Sequence, residues 1–155
     1  MEMPEPAAGH RELEKIAGHW EGEETMYPSP WDPKGGTALG RLNARIALNG
    51  FALIGDYEQE RDGKRTFTGH GVFTYDPKTD TYTFVWVDCM GAPPEIFKGS
   101  FEEGVLKLAH GGPGMYVRLT YDVSEPDCLR RSLEVSEDGR EWKRFLEARS
   151  KRVPV

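Results

Sequence analysis

From about residue 37 onward the chain is cut into short pieces of similar length by turn-forming residues: Asn49-Gly50, Asp62-Gly63, Pro77-Lys78, Gly104, Gly111 to Gly114, Pro126-Asp127 and Asp138-Gly139. The pieces they leave, 37–47, 51–61, 65–75, 81–89, 95–102, 105–110, 115–123, 128–136 and 141–150, read as strands. Short strands at regular spacing with turn chemistry between them form an antiparallel meander. One more strand precedes them, and closure into an up-and-down barrel is the simplest way to leave no unpaired edge. The expected fold class is therefore all-β, a closed up-and-down barrel of about ten antiparallel strands.

The first strand opens at Gly18-His19-Trp20-Glu21-Gly22 and runs to Tyr27. Ahead of it, Leu13, Ile16 and Ala17 fall at i, i+3, i+4 among Arg11, Glu12, Glu14 and Lys15. This spacing predicts a short amphipathic helix over 10–17, ended by Gly18. So short a helix is marginal by itself, and its apolar stripe is expected to plug one end of the barrel. Residues 1–9 read as a flexible leader and 10–155 as a single domain. In the first strand Trp20, Gly22, Glu24 and Met26 alternate with His19, Glu21, Glu23 and Thr25. The second set is the solvated face, so Glu24 points inward and needs a partner or water. The Pro- and Gly-rich loop 28–36 carries Trp31 as a candidate lid.

Register follows from the turns. A loop at Pro77 to Asp80 pairs Phe73 with Phe84, Gly71 with Trp86 and Gly69 with Asp88. A three-residue loop at Asp62-Gly63-Lys64 pairs Gly55 with Gly71, Leu53 with Phe73 and Tyr57 with Gly69. All share the inner face. Trp86 then stands level with Gly55 and Gly71, a hollow to be filled by the indole, by side chains from across the barrel or by a ligand. On the outer face Ile54, Val72 and Val85 make an apolar row, the expected contact of a homodimer. Asp56 beside His70 reads as a surface hydrogen-bonded pair.

Charge and motifs exclude several classes. The formal net charge of -6 argues against nucleic acid as a partner. No apolar run is long enough to span a bilayer and the start lacks a basic n-region with an apolar h-region, so no membrane partner and a cytoplasmic location are expected. Cys89 and Cys128 read as separate reduced thiols. His10, His19, His70 and His110 lack metal-ligand spacing, so no metal and no cofactor are expected. Gly111-Gly112-Pro113-Gly114 reads as a hairpin loop, and no GxSxG elbow is present.

Trp20-Glu21-Gly22-Glu23, Gly69-His70-Gly71 leading to Tyr75-Asp76, and Trp86-Val87-Asp88-Cys89-Met90-Gly91 resemble the signatures of a bacterial family, domain of unknown function 1579. The resemblance runs from His10 to Arg152 and implies a calycin-like barrel similar to lipocalins, fatty-acid-binding proteins and haem-binding nitrobindins. Similarity to nitrobindins raises haem as an alternative. Glu24 and Met26 stand where their first strand has glycines, and the last-strand stretch Leu146 to Arg152 has no histidine for iron. Similarity to lipocalins implies that Arg149 or Arg152 stacks on Trp20.

The expected function is binding of a small, mainly apolar molecule inside the barrel. The candidate lining is Trp20, Met26, Leu53, Gly55, Tyr57, Gly71, Phe73, Phe84, Trp86, Met90, Phe97 and Met115, with Glu24, Asp88 and Arg131 as polar contacts. Asp88, near a strand end, is placed at a barrel mouth. It is the candidate acid/base of an alternative reading, a small hydrolase or isomerase. A solid barrel acting through its outer row is the other alternative.

Overall fold

The computed structural model describes residues 1–30 and 32–154. Trp31, the candidate lid residue, lies outside the described residues. The chain begins with α1 (Ala8–Glu12) and a 3-10 turn (Leu13–Lys15). Ten strands follow: β1 (Gly18–Met26), β2 (Gly36–Ala47), β3 (Ala52–Arg61), β4 (Lys64–Asp76), β5 (Thr81–Asp88), β6 (Glu95–Glu102), β7 (Val105–Gly112), β8 (Met115–Asp122), β9 (Cys128–Ser136) and β10 (Lys143–Arg152). Each pairs antiparallel with its sequence neighbours, and β1 also pairs with β10, which closes the barrel. Closure leaves no free edge for another chain to extend. Among the described residues no helix is long and apolar enough to cross a membrane.

The inferred register holds in the middle of the sheet. Gly55 pairs with Gly71, Leu53 with Phe73, Gly71 with Trp86, and Phe73 with Phe84. The β3–β4 turn differs from expectation: it is a two-residue loop, Asp62-Gly63, with φ of 52° and 77°. Both central residues of a type I′ hairpin need positive φ, which glycine and aspartate tolerate. Thr66 is the extra residue, bulged between the pairs Gln59–Phe67 and Glu60–Arg65. The bulge absorbs the missing loop residue, so the register beyond it is unchanged. Similarly, Gly111 and Gly112 belong to β7, and only Pro113-Gly114 makes the turn expected to span all four residues.

The helical segment begins at Ala8 and its last turn tightens to 3-10, but the apolar stripe works as its spacing requires. Leu13 and Ile16 are fully buried across the barrel end. Trp20 is the hub of this closure: its indole N–H donates to the Ile16 carbonyl at 2.8 Å. The Arg152 guanidinium lies 4.2 Å from its ring centroid, a cation–π contact, and donates to the Ala17 carbonyl at 2.7 Å. Arg149, the other candidate for that stack, instead reaches Glu125. Gly22 supplies the close approach of β1 to β10, since a Cβ there would collide with the Arg149 carbonyl and the Ser150 backbone.

On the outside, Asp56 and His70 form a hydrogen-bonded pair at 2.7 Å. The half-buried row Ile54, Val72, Val85 continues into Ile96, which is 51% exposed.

Candidate functional site

Alternation along a strand sends every second side chain inward, and on β4, β5, β7, β8 and β9 these inward positions become more exposed away from the helix. At the plugged end Leu53, Phe73, Tyr82, Leu106 and Leu129 are buried. Further from the helix along β4, β5, β7, β8 and β9 the wall is half-buried: Phe67 and Gly69 on β4, Trp86 and Asp88 on β5, His110 on β7, Val117 and Leu119 on β8, Leu133 and Val135 on β9. Ile46, Tyr75 and Phe101 beside the helix are half-buried as well, and Met26 and Gln59 at the far end are buried. Most of the exposed inner wall nonetheless lies opposite the helix, so the barrel has a plugged end and a mouth.

Between the two lies a polar cluster. Glu24 is fully buried, on β1 where alternation places it. It accepts hydrogen bonds from the Tyr57 hydroxyl, the Arg131 Nη2 and, at 2.9 Å, the Gln59 amide. The bare backbone of Gly40 on β2 makes room for the carboxylate. The Arg131 guanidinium also lies over the Tyr57 ring, 4.9 Å from its centroid. Burial works against the charge on Arg131, but Glu24, Tyr57 and Tyr121 outweigh it, and its pKa is raised. Arg131 Nε is buried and has no hydrogen-bond partner.

Burial raises the pKa of Tyr57, with Glu24 reinforcing it, and burial likewise raises that of Tyr121. The Tyr82 hydroxyl, buried and donating to the Gly9 carbonyl at 2.6 Å, is pushed up to about 12. Tyrosines in the unfolded chain ionise near pH ~10, so above that pH the unfolded state binds fewer protons than the native one. Stability from these groups is complete below pH ~10 and is lost as pH rises through the folded values. Denaturant titrations at increasing alkaline pH, followed by tyrosinate absorbance, should show the unfolding midpoint falling in step with ionisation. A midpoint unchanged through that range would contradict the assignment.

At the mouth, Trp86 and Phe67 lie with planes within 10° of parallel and centroids 6.5 Å apart. Asp88 accepts the indole N–H of Trp86 at 2.8 Å and the Met90 amide at 2.9 Å. Both carboxylate oxygens are therefore engaged, and Asp88 acts here as a brace for the indole.

The hollow expected beside Trp86 is not where the pairing alone put it. Aromatic side chains reach their diagonal neighbours across strands. Phe84 leans over Gly71 and Trp86 over Gly69, each covering the glycine one pair further toward the mouth. Gly55 has Leu42 at 3.3 Å from the place of a Cβ. Accordingly Trp20, Leu53, Gly55, Gly71, Phe73, Phe84 and Phe97 belong to the packed half. Glu24, Met26, Tyr57 and Arg131 surround the polar cluster, and Trp86 and Asp88 stand in the mouth. Met90 and Met115, counted as lining from sequence, are 76% and 46% exposed on the rim, because each sits in or beside a turn. Absent from the expected lining were Gln59, His110, Leu119 and Leu133, and also Phe67, whose inward orientation nonetheless follows from the inferred register. Alternation continued from Leu106 and Leu108 finds His110, which packs on Phe97 at 5.1 Å. Phe67 precedes Gly69 by one inward step.

An open groove of about 770 Å³ crosses the outer face of β8, β9, β10 and β1. Arg130 and Arg149 there share Glu125, and Arg144 pairs with Glu147, so its basic side chains are already matched.

Such a closed ten-stranded antiparallel barrel, helix-plugged at one end, belongs to the calycin-like class. A family model described as "Protein of unknown function (DUF1579)" matches residues 5–152, and the chain belongs to that family. Among solved structures it is similar to Rv2717c from M. tuberculosis, with TM-score 0.75 and 17% identity over 96% of this chain and 99% of that one. It is also similar to the S-type phycobiliprotein lyase CPES from Guillardia theta, with TM-score 0.63 and 10% identity over 97% of this chain and 99% of that one. These likenesses are of fold. No curated protein matches the chain.

Proposed function

We propose that the protein binds a small, mainly apolar molecule through the open end of the barrel. The observation that carries this reading is the inner wall at the end opposite the helix, where apolar and aromatic side chains such as Phe67, Trp86, Val117 and Leu119 face inward yet stay half-exposed. A few polar groups converging on an apolar recess are the usual build of small-molecule sites, and on this reading Glu24, Tyr57 and Arg131 form its floor. The resemblance in fold to an S-type phycobiliprotein lyase agrees with a binding role for the barrel.

Titration with the neutral apolar fluorophore N-phenyl-1-naphthylamine should enhance the probe's emission and quench tryptophan fluorescence. Trp86→Phe keeps a ring in the wall, and in this variant most of the tryptophan quenching should vanish. Flat titrations with this and other apolar probes would refute the reading.

A further inference from the structure

We propose that the ligand carries an uncharged oxygen acceptor at its inner end, as in a ketone or alcohol on an apolar body, and that Glu24 sets this choice by excluding carboxylates. The inference rests on the binding reading above.

Its basis is the state of Arg131. A guanidinium has a fixed fork of N–H donors. In Arg131 one arm is taken by Glu24, while Nε is buried without a partner. A buried donor left unmade is unfavourable, and native structures rarely keep one without reason. An oxygen acceptor entering from the mouth would satisfy it. The Arg131 side chain keeps 13% exposure where that of Glu24 keeps none, and Leu133 and Val135 continue its inward file toward the mouth.

Charge decides which oxygen is accepted. Glu24 and Arg131 already balance each other inside the barrel, and Tyr57 and Gln59 are directed at the same carboxylate. A ligand carboxylate would add a second negative charge beside Glu24 with no further cation to meet it, an arrangement strongly disfavoured away from water. Asp88, bonded to the Trp86 indole, and Glu95, paired with Trp86 across β5 and β6, are acids at the mouth that oppose an anion's entry as well. A carbonyl or hydroxyl oxygen accepts the same hydrogen bond without that penalty.

The test compares 2-decanone with decanoate at about pH 8, where the acid is ionised, by calorimetry on the full chain. The native protein should bind the ketone at least about tenfold more tightly. Glu24→Gln leaves Arg131 without its counter-charge and should invert the order. Should that variant not fold, Glu24→Gln with Arg131→Met removes the unpaired donor together with both charges, and 2-decanone should bind about tenfold more weakly than to the native protein. The Arg131 Nε–H resonance should shift when 2-decanone binds to the native protein.

Decanoate binding as tightly as the ketone, 2-decanone binding undiminished in the double variant, or an unmoved Nε–H signal with ketone bound would each overturn the inference while leaving a binding barrel. Failure of both probes and of the fluorophore would remove the binding reading and this inference with it.

Discussion

Arg131→Met should destabilise the protein by about 3–5 kcal/mol, the range for removing one partner of a buried ion pair. The loss comes less from the missing attraction than from what stays behind. Glu24 is fully buried, and without Arg131 its carboxylate has only the neutral donors of Tyr57 and Gln59. The paired variant, Glu24→Gln with Arg131→Met, leaves no charge in the interior and should recover most of that loss, because buried ion pairs replaced as a unit are often neutral for stability. Denaturant unfolding of the four proteins in a double-mutant cycle measures the coupling directly. Single and double variants losing the same amount would mean that the charges do not compensate each other.

The second large effect is at the plugged end. Trp20→Ala should cost about 3–5 kcal/mol, the usual range for emptying a large aromatic site in a core. Trp20 is 2% exposed, so nearly the whole ring is lost from packing. The substitution also breaks the hydrogen bond to Ile16 and removes the surface on which Arg152 stacks. Those two contacts tie the helical segment to β1 and β10, so its backbone amides should lose exchange protection before the strands do. Trp20→Phe, which keeps an aromatic ring and loses the N–H, should cost less than half as much. If thermal unfolding placed the two variants together, the hydrogen bond rather than the ring would be the anchor. Unchanged amide exchange at Leu13 and Ile16 in Trp20→Ala would show that the plug is held by other contacts.

The architecture was legible because its determinants are local. Turn residues mark each hairpin, two-residue alternation marks each inner face, and loop length sets the pairing that places Phe73 opposite Phe84. A compensating error shows how robust that logic is: the Asp62-Gly63 loop is one residue shorter than expected, and the bulge at Thr66 restores the register. The inward placement of Glu24 and its need for a partner were readable for the same reason. Arg131 as that partner was only one of two roles the sequence allowed, since the two residues lie 107 positions apart and meet only when β1 closes onto β10 beside β9.

The sequence by itself determined the number of strands, their order, which side chains face inward, and the helical stripe that seals one end, because periodicity and turn chemistry act between near neighbours. Only the tertiary structure decided where the interior is filled. Phe84 and Trp86 lean along the sheet onto Gly71 and Gly69 instead of leaving those places empty, which moves the accessible wall to the end opposite the helix. Which way a ring leans, and which distant charge reaches it, depends on side chains packed from strands across the barrel, and no local pattern encodes that.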